Sequence, residues 1–140
     1  MINETALITG ATSGIGYELA KLFARDGYSL IICGRNDETL QQVAAEFRGL
    51  GAKDVRSIVV DLSIPGEAQK ICSFTCELGI KVDVLVNDAG MGEHGFFTDT
   101  SFEKELAIIQ LNIISLVQLT KYYLKEMLKD NRGKILQLAS

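Results

Sequence analysis

Eight residues near the start of the chain, Thr9-Gly10-Ala11-Thr12-Ser13-Gly14-Ile15-Gly16, constrain its fold more than any others. Ahead of them, Thr5-Ala6-Leu7-Ile8 is a short apolar run that reads as a buried strand. Behind them, between Tyr17 and Arg25, Leu19, Leu22 and Phe23 recur at helical spacing and predict a core-facing helix. The glycines therefore sit where a strand gives way to a helix. Bare backbone amides at the positive end of a helix dipole suit a phosphate. Each glycine answers a physical need. Gly10 permits a tight turn, Gly14 lets the backbone approach a pyrophosphate, and Gly16 lets the helix pack close to the sheet. Thr12 and Ser13 offer hydroxyl donors, and Ile15 completes the loop. The spacing is Gly-x-x-x-Gly-x-Gly. It differs from the Gly-x-Gly-x-x-Gly fingerprint, and no Gly-Lys-Ser/Thr follows to make it a P-loop. Alone, the stretch also fits an ordinary glycine-rich turn; the rest of the chain weighs toward a nucleotide.

Strand and helix signals alternate from there on. Tyr28 to Cys33 reads as a second strand, and 37–47 as a helix with Leu40, Val43, Ala44 and Phe47 on one face. Asn36 or Asp37 caps that helix. Val55 to Val60 is a third strand closed by Asp61-Leu62. Ser63 is expected to cap the next helix, with Pro65, the only proline, in its first turn. Val82 to Val86 is a fourth strand, running into Asn87-Asp88-Ala89-Gly90. One long helix is expected from about Ser101 to Lys129, and a fifth strand from Ile135 to Leu138. Such alternation builds a parallel sheet covered on both faces. With right-handed crossovers it gives a Rossmann-type, doubly wound α/β fold with five strands in the order 3-2-1-4-5.

Composition excludes several classes. A chain of 140 residues suggests one domain with a sizeable core. A net charge of −4 and no Lys/Arg cluster argue against nucleic acid as a partner. No apolar run reaches membrane-spanning length, and Met1-Ile2-Asn3-Glu4 leads straight into a strand with no signal peptide, so a cytoplasmic location with no membrane partner is expected. Cys33, Cys72 and Cys76 are odd in number and read as reduced core thiols. Cys72 and Cys76 lie one helical turn apart, but the only histidine, His94, is in another segment, so no metal site is expected.

Together these motifs resemble the short-chain dehydrogenase/reductase family, most of all its DltE-like branch, over the whole chain. The resemblance is carried by 9–16, Asp61-Leu62, 87–90, Leu111-Asn112 and the run from Gly133-Lys134-Ile135 to Ser140. It implies hydride transfer between a nicotinamide cofactor and a small carbonyl or alcohol substrate. Gly10, Thr12, Ser13, Gly14, Ile15 and Gly16 would line the phosphates and ribose. Asp61 would bond the adenine amino group, with Leu62 beside it. Asn87, Ala89 and Gly90 would follow the fourth strand at the cofactor. Asn112 would hold a water of the proton relay and Ser140 would bond the substrate oxygen. Asp88 departs from the family's second Asn and puts a carboxylate near cofactor oxygens.

Arg35 follows Gly34 where an acidic residue would select NAD(H). An arginine accommodates the 2′-phosphate instead, so NADP(H) is expected, with NAD(H) as the alternative.

The family's Tyr-x-x-x-Lys pair falls beyond Ser140. Tyr17 and Lys21 match that spacing, but on the first helix, where the match reads as coincidence. Carbonyl reduction needs a proton donor, and a tyrosine needs a lysine to lower its pKa. The chain thus reads as one NAD(P)-binding domain over 1–140, incomplete at its C-terminal end and inactive alone. The alternatives are a non-catalytic nucleotide-binding or interaction module, and a fragment without its own function. The apolar fifth strand and long helix predict a homo-oligomer.

Overall fold

The structure is a computed structural model that describes residues 2–139. Ser140 therefore lies outside the described residues. Five strands, β1 (Thr5–Ile8), β2 (Ser29–Gly34), β3 (Asp54–Val59), β4 (Val84–Asn87) and β5 (Lys134–Gln137), form one sheet in the order β3-β2-β1-β4-β5. Every pairing is parallel, with Leu7 opposite Ile31 on one side and Leu85 on the other. The expected order is observed; the strand limits shift by one or two residues.

The helices are α1 (Gly14–Arg25), α2 (Asp37–Leu50), α3 (Glu67–Glu77), α4 (Phe102–Ile109) and α5 (Leu116–Lys129). Alternate strand residues face two cores. Ala6, Ile8, Leu30, Ile32, Val84 and Val86 pack with Leu40, Val43, Ala44 and Phe47 on the α1/α2 side. Leu7, Ile31, Cys33 and Leu85 pack with Ile71, Leu119, Tyr123 and Met127 on the α3/α5 side. Because both faces are covered, the strands β1, β2 and β4 are apolar almost throughout.

Four details correct the sequence reading. First, α1 buries Gly16, Ala20 and Ala24, while Leu22 is 54% exposed. A stripe of small residues brings the helix against the sheet, which a search for large apolar residues misses. Second, Ser63 does not cap α3. Asp61 Oδ1 accepts from the Ser63 backbone N–H (3.0 Å) and hydroxyl (2.6 Å), closing a turn before Gly66 starts the helix in a left-handed conformation. Third, the long helix is broken: Gln110–Ser115 is a π-helical turn between α4 and α5. Fourth, Cys33 and Cys72 are buried, with thiols pushed up by burial to about 12 and about 11, but Cys76 is exposed. No helix of the described residues is long and apolar enough to cross a membrane.

Candidate functional site

In an open parallel sheet, ligands bind at the carboxyl ends of the strands, where the strand order reverses. Here that point lies between β1 and β4, and the turns that leave those strands meet there. A cavity of about 250 Å³ opens at this place, on the side toward β2 and β3. Its wall takes Gly10, Thr12 and Ser13 from the β1–α1 turn, and Gly34 and Arg35 from the end of β2. Asp61, Leu62 and Ser63 follow β3, and Asp88, Ala89, Gly90 and Met91 follow β4. Small-molecule pockets usually measure about 300–1,000 Å³, so this groove would hold part of a large ligand and leave the rest in an open cleft.

The phosphate turn has the geometry its sequence suggested. Gly10 and Gly14 have φ of +68° and +60°. A Cβ on Gly14 would meet no atom within 4 Å, so the missing side chain leaves space open in front of the backbone. Gly16 is the opposite case. A Cβ there would stand 2.3 Å from the Gly10 carbonyl oxygen and 2.4 Å from Asp88 Oδ2. The turn is thus folded hard against the end of β4, with one glycine facing outward and one clamped inside.

Thr9, the residue that follows β1, does the clamping, a role sequence reasoning missed. Its buried Oγ1 accepts the backbone N–H groups of Asp88 and Ala89, each at 3.0 Å. The signal was available: a polar residue ending an apolar strand needs partners when buried. Asp88 returns the contact, its Oδ2 accepting the Gly16 N–H at 2.9 Å. Burial holds the Asp88 carboxyl above its usual range, partly offset by that bond.

Asp61 is held below the usual carboxylate range by the Ser63 hydroxyl, with a smaller effect from the Arg35 guanidinium. Arg35 itself is exposed at the mouth of the cavity. Asn87, by contrast, is not among the residues lining the cavity. It is buried and its Nδ2 donates to Thr120 Oγ1 (3.0 Å), tying β4 to α5. Gly14, Ile15 and Gly16 sit behind the wall residues as the first turn of α1, and Ile15 is 62% exposed.

Asn112 lies in the π turn. Its Oδ1 accepts from Met91 N at 3.0 Å and its Nδ2 donates to Met91 O at 2.9 Å. Both ends of the amide are engaged in holding the segment after Gly90. The π turn also brings Ser115 round to donate to the Leu62 carbonyl at 2.6 Å. π-helical turns recur at functional sites, where the extra residue re-aims side chains.

Tyr17 and Lys21 are not among the residues lining the cavity. The Tyr17 hydroxyl bonds both Glu46 carboxylate oxygens at 2.6 and 2.8 Å, and Lys21 Nζ lies 4.7 Å from the centre of its ring. The Glu46 hydrogen bond raises the Tyr17 pKa, the wrong direction for a proton donor. Their match to Tyr-x-x-x-Lys places neither side chain on the cavity wall.

Doubly wound topology, a glycine turn opening a helix and a crevice at the reversal point define a nucleotide-binding α/β protein. The chain belongs to the short chain dehydrogenase family, whose model matches residues 4–140. It is 37% identical to the uncharacterized oxidoreductase YvrD of Bacillus subtilis, covering 98% of this chain and 51% of that protein. Among solved structures, the short-chain dehydrogenase from Sphingobium yanoikuyae in complex with NADPH superposes with a TM-score of 0.90 at 30% identity, covering 98% of this chain and 53% of the other. L-Sorbose reductase from Gluconobacter frateurii, complexed with NADPH and L-sorbose, superposes at 0.89 with 27% identity over 98% of this chain and 52% of the other. The chain spans about half the length of the curated relatives it matches.

Proposed function

We propose that the chain binds NADP(H) and serves hydride transfer between that cofactor and a small carbonyl or alcohol. One observation carries the reading: Gly10, Thr12 and Ser13 of the turn into α1 line a single crevice with Arg35 at the reversal point of the sheet. The residues fit the cofactor. The positive end of α1, outside the Gly16 N–H that Asp88 takes, suits a pyrophosphate. Arg35 offers a bidentate fork to a 2′-phosphate, with Gly34 beside it leaving out the carboxylate that would repel one. Asp61 is ionised and at hand for an adenine amino group, beside Leu62. Ala89, held by Thr9, and Gly90, next to the Met91 that Asn112 holds, support the ribose side. When bound, a reduced nicotinamide supplies the hydride. The NADPH-bound relatives, and the sorbose of one of them, support both the cofactor and the substrate class.

No tyrosine is among the residues lining the cavity, and Ser140 lies outside the described residues. Turnover thus calls for a proton donor beyond this wall, and the residues described do the binding and positioning. A second reading, a nucleotide-binding module without catalysis, rests on the same observation. The exposed apolar face of the π turn and α5, with Ile113 and Val117 each more than half exposed, supports self-association as part of this proposal.

Fluorescence titration with NADPH and NADH tests the cofactor. NADPH binds more tightly, and Arg35→Ala weakens NADPH by about 1.5–3 kcal/mol, the worth of a hydrogen bond to a charged group, while sparing NADH. Equal affinities in the unmutated chain refute the assignment.

A further inference from the structure

Asp88 stands at the end of β4 and reaches under the phosphate turn. Its Oδ2 lies 2.9 Å from Gly16 N and would lie 2.9 Å from a Cβ on Gly10 and 2.4 Å from one on Gly16. The oxygen is wedged between two glycines of one turn, and Asp88 lines the same cavity as Gly10, Thr12 and Ser13. Ser13, which precedes α1, makes no side-chain cap. A carboxylate from β4 therefore fills the capping role at the positive end of α1.

That position has an electrostatic cost. A dinucleotide phosphate bound to this turn would share the same helix terminus with the Asp88 charge. Two anions in one partly desolvated site raise the pKa of whichever can take a proton. Of the two, the pyrophosphate is the stronger acid, so the carboxyl takes the proton. The carboxyl already sits above its usual range through burial. Its immediate neighbours do not neutralise it: the β1–α1 turn presents Gly10 and Gly16, and β4 continues with Ala89. The other charged side chains on the wall are Arg35 and Asp61, from β2 and β3, and these lie close enough to act on each other.

We propose that Asp88 is a positioning residue for the phosphate turn and that dinucleotide binding is coupled to uptake of one proton by its carboxylate. The inference rests on the dinucleotide reading above. The step is a protonation only: solvent gives a proton to the carboxylate, and no bond of the dinucleotide changes. A protonated Asp88 keeps an oxygen to accept the Gly16 N–H and gains an O–H donor. Below the carboxyl's free-state pKa it is already protonated and binding takes up nothing. Between the free and bound pKa values the affinity falls as pH rises, by up to about tenfold per pH unit. Above the bound value the affinity is flat and weakest.

Calorimetry of NADPH binding in buffers of different ionisation enthalpy, over a range of pH, reads this coupling. Comparing the unmutated protein with Asp88→Asn removes the ligand's own phosphate titration. Asn can still accept the Gly16 N–H through its amide oxygen. The unmutated protein takes up more protons than Asp88→Asn, and the variant binds more tightly at pH 8 with a flatter profile. A measurement needing no variant is the Gly16 amide shift, whose titration midpoint moves up when NADPH is added. Equal proton uptake in both proteins, or a Gly16 midpoint unmoved by NADPH, overturns the coupling and leaves the binding reading standing. No NADPH binding at any pH overturns both.

Discussion

Replacing Gly16 by alanine probes the contact on which the phosphate turn depends. The new Cβ would lie 2.3 Å from the Gly10 carbonyl oxygen, 2.8 Å from its carbon and 2.4 Å from Asp88 Oδ2. Gly10 presents backbone, which cannot swing aside as a side chain can. The clash with both groups forces α1 off the turn and opens the Asp88–Gly16 bond as well. Overpacking of this kind costs about 1–3 kcal/mol, and a hydrogen bond to a charged group is worth about 1.5–3 kcal/mol. Alanine returns up to about 1 kcal/mol of helix propensity, so the net loss is about 2–4 kcal/mol. With a urea m-value of about 2 kcal/mol/M, the unfolding midpoint falls by about 1–2 M. Gly14→Ala is the control. It has a φ of +60° but open space around the new Cβ, so only left-handed strain of about 1–2 kcal/mol applies. Urea unfolding at constant m, followed by NADPH titration, separates the two variants. A Gly16→Ala midpoint equal to the unmutated one, or a Gly14→Ala loss as large, would refute the packing argument.

Three further outcomes follow from the geometry. Thr9→Val removes the acceptor shared by the Asp88 and Ala89 N–H groups and destabilises by about 2–4 kcal/mol, while Thr9→Ser keeps it and costs far less; thermal melts that rank the two equally would count against the clamp. The carboxyls of Glu4, Asp61, Glu67 and Asp130 are held low by Arg132, Ser63, Lys70 and Lys81 respectively, so the unfolded chain binds more protons; their stabilisation is present above the ordinary carboxylate pKa of about 4 and is lost as pH falls through the depressed values. Melting temperatures between pH 3 and 7 check this, and Asp61→Asn should flatten the slope; an unchanged slope speaks against the Asp61–Ser63 pair. Ile113 (55% exposed) and Val117 (52%) form an apolar face, so Val117→Glu should shift the sedimentation of the protein toward smaller species, and a monomer without the mutation would end the association proposal.

Legibility in the sequence follows the range of the forces involved. The strand–helix alternation and the sheet order were readable because strands buried on both faces must be apolar throughout, and Leu7, Ile31 and Leu85 are. Gly10, Gly14 and Gly16 were readable because each answers a local backbone demand. The π turn was not readable. An inserted residue at Gln110–Ser115 leaves the apolar periodicity of its flanks intact, and its stabilisation comes from Met91 and Leu62, 21 and 53 residues away. Ser63 and Pro65 looked like a helix start for a related reason. Asp61 takes up the Ser63 hydroxyl in its own turn, so the same residues serve a different hydrogen bond.

The pairing of Thr9 with Asp88, and of Asp88 with Gly16, belongs to this second kind. Positions separated by 72 to 80 residues meet because β1 and β4 are parallel neighbours in the sheet and their following turns both start from its carboxyl end. The order alone fixes that the turns meet; it does not fix which atoms bond. A side chain at 88 reaches Gly16 only because Gly16 has no Cβ, and α1 lies close enough only because Ala20 and Ala24 continue its small face. The charge at 88 is therefore not a free choice of surface residue. It is fitted to a helix terminus that the glycines bring within reach, at the place where a phosphate would compete for the same N–H groups.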